Sequence, residues 1–126
     1  MTPKKLAQTV IRAANDRKAD DVSVLSVTHL TTLADYYIIC TGTSNTHIRA
    51  IADSIDEALS KQGIEPKSRE GYRSGTWLLM DYGSVIVHIF KGETRDFYAL
   101  ERLWGDARRI DPDKFLESDG DSDELL

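Results

Sequence analysis

Apolar positions in this chain fall into a few short periodic runs separated by polar punctuation. Behind Thr2-Pro3, Leu6, Ala7, Val10, Ile11 and Ala14 recur at helical spacing. This predicts a helix that starts on an N-cap with proline at its first position, buries one stripe, and ends near Asp16–Lys18. Asp20-Asp21 reads as a turn, and the β-branched Val22, Val24, Val27 and Thr28 as a strand. Tyr36 to Thr41 is almost continuously apolar, as expected for a strand covered on both faces. After Gly42-Thr43-Ser44-Asn45-Thr46, the residues Ile48, Ile51, Ala52, Ile55 and Leu59 mark a second helix, with Ser44 or Thr46 as its cap and Gly63 behind its end. Residues 64–74 are polar. Two strands, Gly75–Asp81 and Ser84–Lys91, follow around Tyr82-Gly83. Thr94 can cap a last helix running to about Arg109, and Asp111-Pro112 is expected to end the ordered chain.

The hairpin carries the most information. A two-residue Tyr82-Gly83 loop pairs Asp81 with Ser84, Leu79 with Ile86, Trp77 with His88, and Gly75 with Phe90. Side chains alternate across a sheet, so Leu78, Met80, Val85, Val87 and Ile89 form one wholly apolar face that belongs under the helices. The other face carries Trp77, Leu79, Asp81, Ile86, His88 and Phe90, and is apolar and aromatic but interrupted by a carboxylate and an imidazole. Two readings fit that mixed face: a second core layer beneath the last helix, or a protein-binding patch. A slip of one residue in the loop would exchange the faces.

Length and composition narrow the class. The chain has 126 residues and is 40% apolar, which suits one mixed α/β domain with a single substantial core. It lacks a spanning segment and a signal-like start, so it is expected to be soluble and cytoplasmic, with no membrane partner. The lone Cys40 lies in an apolar run and reads as a buried, inert thiol. The net charge of −5 is unevenly spread: residues 111–126 hold seven acids and one base, leaving residues 1–110 with 14 acids and 15 bases. The chain therefore divides into a near-neutral domain over 1–110 and an acidic tail over 111–126, expected to be disordered.

Catalytic chemistry is hard to find. Gly42-Thr43-Ser44 joins a strand to a helix, the place where nucleotidyltransferases hold phosphate on backbone amides. Their metal-dependent chemistry needs paired carboxylates. Asp81 has Leu79 where a partner would stand, and Asp35 has Tyr37. No Walker loop or Gly-x-Gly-x-x-Gly is present, and His29, His47 and His88 lack metal-ligand spacing. Hence no enzyme, no cofactor and no metal site are expected. Lys67, Arg69, Arg73, Lys91 and Arg95 could flank Tyr72 and Trp77 as a nucleic-acid contact, but a body charge of only +1 argues against RNA as the main partner.

The run Gly71-Tyr72 … Gly75-Thr76-Trp77-Leu78-Leu79-Met80-Asp81-Tyr82-Gly83 … Val87-His88-Ile89-Phe90 … Arg95-Asp96-Phe97-Tyr98-Ala99-Leu100-Glu101-Arg102-Leu103-Trp104 resembles the ribosomal silencing factor, or Iojap, family. Leu33-Ala34-Asp35-Tyr36-Tyr37-Ile38-Ile39-Cys40-Thr41-Gly42-Thr43-Ser44 is similar to its other recurrent stretch, and the likeness spans about residues 3–110. It implies a mixed β-sheet with flanking helices, nucleotidyltransferase-like without the catalytic carboxylates. It implies binding to the large ribosomal subunit through the fourteenth large-subunit ribosomal protein, with adjacent ribosomal RNA as a secondary contact. The bound factor would obstruct the small subunit and repress translation, and the free chain would form a homodimer. A large-subunit assembly factor and a nucleotide-binding domain are the alternatives. Carried over by motif, the partner-facing residues are Trp77, Asp81, Tyr82, His88, Phe90, Tyr98 and Leu100.

Overall fold

A computed structural model describes residues 1–28, 34–73, 76–92 and 108–118. Helix α1 spans Pro3–Asp16, strand β1 Asp20–Ser26, strand β2 Tyr36–Gly42 and helix α2 Asn45–Ser60. Strands β3 (Ser68–Glu70), β4 (Trp77–Asp81), β5 (Val85–Lys91) and β6 (Arg108–Ile110) follow, and a short helix α3 covers Pro112–Glu117. The strands make one six-stranded sheet in the order β3-β4-β5-β2-β1-β6. Only β2 and β5 run parallel; every other neighbouring pair is antiparallel. Both lie in the middle of the sheet, which explains their nearly unbroken apolar sequences.

The helix caps are those the sequence predicts. Thr2 Oγ1 accepts the Lys5 amide at 3.1 Å with Pro3 behind it, and Ser44 Oγ accepts the His47 amide at 3.0 Å. Each cap is worth about 1 kcal/mol. Gly63 follows α2 at φ 76°, where the Ile64 amide returns to the Leu59 carbonyl at 3.0 Å.

Both helices lie on one face of the sheet. Leu6, Ala7, Val10, Ile11 and Ala14 of α1, with Ile48, Ile51, Ala52, Ile55 and Leu59 of α2, pack against Ile38, Cys40, Leu78, Met80, Val85, Val87 and Ile89 in one cluster. Each such aliphatic side chain contributes roughly 1.5–3 kcal/mol by leaving water. Cys40 is fully buried there, as expected.

Within the polar stretch, residues 68–70 form β3 against β4. Three expectations need correction. Asp20 and Asp21 belong to β1, whose register slips between Asp20 and Ser23, with Asp21 at φ 49°. The last helix cannot reach Arg109, because 108–110 pair with β1 as β6; the rest of that helix, from Thr94 to 107, lies outside the described residues. Order does not end at Asp111-Pro112 either. Asp111 caps α3 through the Asp113 amide at 2.9 Å, and Phe115 is 1% exposed, edge-on to Tyr36 at 5.3 Å between ring centroids. One buried aromatic ring and a set of side-chain anchors outweigh the acidity of that segment. Gln8 Nε2 donates to the carbonyls of Phe115 (2.7 Å) and Ser118 (3.1 Å), holding α3 on α1. The acidic residues beyond 118 lie outside the described residues.

Candidate docking face

The site is built by the face of the sheet that turns away from α1 and α2. The hairpin register differs from the sequence expectation by two residues: Trp77 pairs with Phe90, Leu79 with His88, and Asp81 with Ile86. Gly83-Ser84 therefore make the connection, with the Tyr82 amide donating to the Val85 carbonyl at 3.0 Å. An even displacement preserves side-chain parity, so the two faces keep the residues the alternation assigned to them.

Three rows of side chains cross this face. Ser68, Asp81, Ile86, Tyr37, Leu25 and Arg109 make one row; Glu70, Leu79, His88, Ile39 and Ser23 the next; Trp77, Phe90 and Thr41 the third. Leu25, Val27, Ala34, Ile39 and Phe90 are its buried centre, against which Tyr37, Trp77 and Ile86 pack while remaining partly exposed. Trp77 stacks on Phe90 (centroids 5.5 Å apart, planes at 15°) and on His88 (6.0 Å, 22°), and Tyr37 leans on His88 at 5.6 Å. Such ring pairs add about 0.5–1.5 kcal/mol each beyond burial.

His88 is 6% exposed, and burial pushes its pKa from 6.5 down to about 4. The hydrogen bonding agrees. The Trp77 indole N–H, which can only donate, meets His88 Nδ1 at 3.3 Å. That nitrogen must be bare, so the imidazole is neutral with its proton on Nε2. Asp81 is half-buried, and its Oδ1 accepts the Gly83 amide at 2.7 Å, closing the turn. Tyr37 has its pKa raised, first by burial and then by the Asp81 carboxylate.

The motif-derived residues thus separate. Trp77, Asp81, His88 and Phe90 share this face, but only Trp77 and Asp81 reach its surface; Phe90, at 1% exposure, is the floor under Trp77 and not an open anchor. Tyr82 is a correction. It follows Leu78 and Met80 in the alternation, so it points into the helix-side core at 7% exposure, where burial and then Asp56 raise its hydroxyl pKa. Tyr98 and Leu100 lie outside the described residues. Tyr37 was not singled out as a site residue. Its signal was the alternation of Tyr36 and Tyr37 in β2, unusable until the β2–β5 pairing was known.

Two polar clusters elsewhere are committed to the fold. The Thr43 amide donates to His47 Nδ1 at 2.8 Å, leaving Nε2–H to donate to the Arg17 carbonyl at 2.6 Å. The Gly42-Thr43-Ser44 turn is therefore latched to the end of α1 through an amide that a phosphate would need. Arg69 bridges Asp53 (3.2 Å) and Asp56 (3.1 Å) and stacks over Tyr72 at 4.7 Å, on the helix side of the sheet. Tyr72 and Trp77 thus stand on opposite sides and share no basic patch. Among the described residues no three His, Cys, Asp or Glu side chains gather as a metal site, and no helix is long and apolar enough to cross a membrane.

Comparison with known proteins shows the family of the chain. The family model described as "Ribosomal silencing factor during starvation" matches residues 1–124. The chain belongs to the ribosomal silencing factor family. It is 39% identical to the Halalkalibacterium halodurans ribosomal silencing factor over 111 residues, 88% of this chain and 95% of that one. It is 37% identical to the Bacillus subtilis factor over 113 residues, 90% of this chain and 96% of the other. A crystal structure of a Chromobacterium violaceum protein superposes with a TM-score of 0.81 at 36% identity, covering 83% of this chain and 88% of that chain. Members of the family are regulators of translation.

Proposed function

We propose that this chain binds the large ribosomal subunit through its fourteenth protein, and there stands in the way of the small subunit, so that translation is repressed without any turnover. The observation that carries the reading is the partly exposed strip of Trp77, Leu79, Asp81, Ile86 and Tyr37 on the sheet face turned away from α1 and α2. Its rings are held rigid by stacking on the buried His88 and Phe90, so little side-chain entropy is lost when a partner covers them. Aromatic side chains of this kind dominate the energy of many protein interfaces. The latch on the Gly42-Thr43-Ser44 turn weighs against the nucleotide-binding alternative. The free chain forms a homodimer in this reading, which light scattering checks.

The test is co-sedimentation of the full chain with purified large subunits, alongside the rate at which large and small subunits join. The wild type co-sediments and slows joining. Trp77→Ala weakens binding about tenfold, equivalent to ~1.4 kcal/mol, while circular dichroism shows a folded domain. Wild-type binding by folded Trp77→Ala would remove the strip from the mechanism. Association with precursor particles alone, and not with mature subunits, would point to assembly instead.

A further inference from the structure

We infer that the docking strip contains a seat for a basic side chain of the partner protein, formed by the Asp81 carboxylate at one end of the row that carries Ile86 and then Tyr37. This deepens the docking reading above and rests on it. Asp81 stands in the same cross-strand row as Ile86 and Tyr37, half-buried, with Ser68 and the exposed Glu70 of the edge strand β3 outside it. Oδ1 is engaged by the Gly83 amide at 2.7 Å. No described lysine or arginine forms an ion pair with Asp81. Arg69 holds Asp53 and Asp56 on the helix side, and Lys67, whose ammonium lies over Gly83, makes no ion pair with Asp81. Arg109 lies in the same row as Asp81 but four strands away, about 19 Å at the usual strand spacing, and donates to Ser23 Oγ at 3.3 Å.

A covering partner removes water from this carboxylate. Desolvating an ionised group without a counter-charge is costly, so the strip discriminates among partners. A protein surface that presents lysine or arginine opposite Asp81 meets the requirement, and an arginine there can also lie against the Tyr37 ring. An RNA backbone would place phosphates against the carboxylate and be repelled. The chemistry therefore favours a basic protein segment over RNA at this spot.

The test uses full-length chains and purified large subunits, with binding measured from about 0.05 to about 0.4 M salt, across which screening of a partly buried pair strengthens. Asp81→Asn keeps an oxygen for the Gly83 amide, so the turn survives while the charge is lost; Trp77→Ala reports on the strip itself. The expected result is that Asp81→Asn binds about five- to tenfold more weakly at low salt, with the gap closing as salt rises, while the Trp77→Ala defect persists at every salt. Wild-type binding by Asp81→Asn, with Trp77→Ala still defective, overturns the seat and leaves the docking face standing. Tighter binding by Asp81→Asn also overturns it and places phosphate there. Wild-type behaviour by both variants removes the docking face together with the seat.

Discussion

The two faces of the sheet are made from the same strands and serve different ends. On the helix side, Leu78, Met80, Val87 and Ile89 are sealed at 0% exposure under α1 and α2, and Arg69 is paired with Asp53 and Asp56. On the other side, a small buried floor of Phe90, Ile39 and Leu25 supports a partly open strip that mixes rings with the carboxylate of Asp81 and, at its β3 edge, that of Glu70. One face is built for stability alone. The other keeps enough burial to hold its rings still, and leaves apolar area that a monomer gains nothing by exposing. The difference predicts that substitutions on the two faces separate folding from binding.

The largest effect falls on the sealed face. Leu78→Ala should lower unfolding free energy by about 3 kcal/mol, because it removes a fully buried side chain and leaves a cavity; denaturant titration reads it, and the fraction still folded should bind large subunits normally. Next comes acid. His88 is held neutral with a pKa of about 4, whereas the unfolded chain takes up the proton near 6.5. Between those values the unfolded state binds more protons, so stability falls as pH drops from 6.5 towards 4 and this contribution levels off below. Two and a half pH units correspond to a ceiling of about 3 kcal/mol. His88→Gln should flatten the stability-versus-pH curve in that window, and an unchanged slope would show that the imidazole is not the group responsible. Trp77→Ala, on the open strip, reverses the pattern of Leu78→Ala: about 1.4 kcal/mol is lost from binding and less from folding. The smallest effect is far from both faces. Ser44→Ala removes the α2 cap and should cost about 1 kcal/mol in thermal unfolding with no change in ribosome binding.

Much of this contrast was legible from residue order because it rests on periodicity. The stripes of α1 and α2, the continuous apolar run of β2, and the alternation through Trp77–Asp81 and Val85–Phe90 each reflect how much of an element is covered. The features that escaped are short or long-range. Strands β3 and β6 are three residues each at the sheet edges, polar, and held by backbone pairing that leaves no periodic trace. Helix α3 opens on Asp111-Pro112, the same cap-and-proline signature as Thr2-Pro3, but Phe115 and Leu116 among charges were too little to mark a helix of six residues. The site was half legible for the same reason. Parity placed Trp77, Asp81, His88 and Phe90 together, whereas the depth of each, and the place of Tyr37 in the row of Asp81, depend on which strands become neighbours. Tyr82, carried over by motif alone, was the one that parity could have removed.

The grip of Gln8 on the carbonyls of Phe115 and Ser118 fastens the opening helix to the closing one, behind the sheet and away from Trp77. A fluorophore or affinity handle fused ahead of Met1 would consequently trail from the rear of the molecule, leaving the strip uncovered. Trimming the chain back to Pro112 would strip α1 of its companion and lay bare Tyr36, so shortened versions made to tidy the acidic end would be weakened from within.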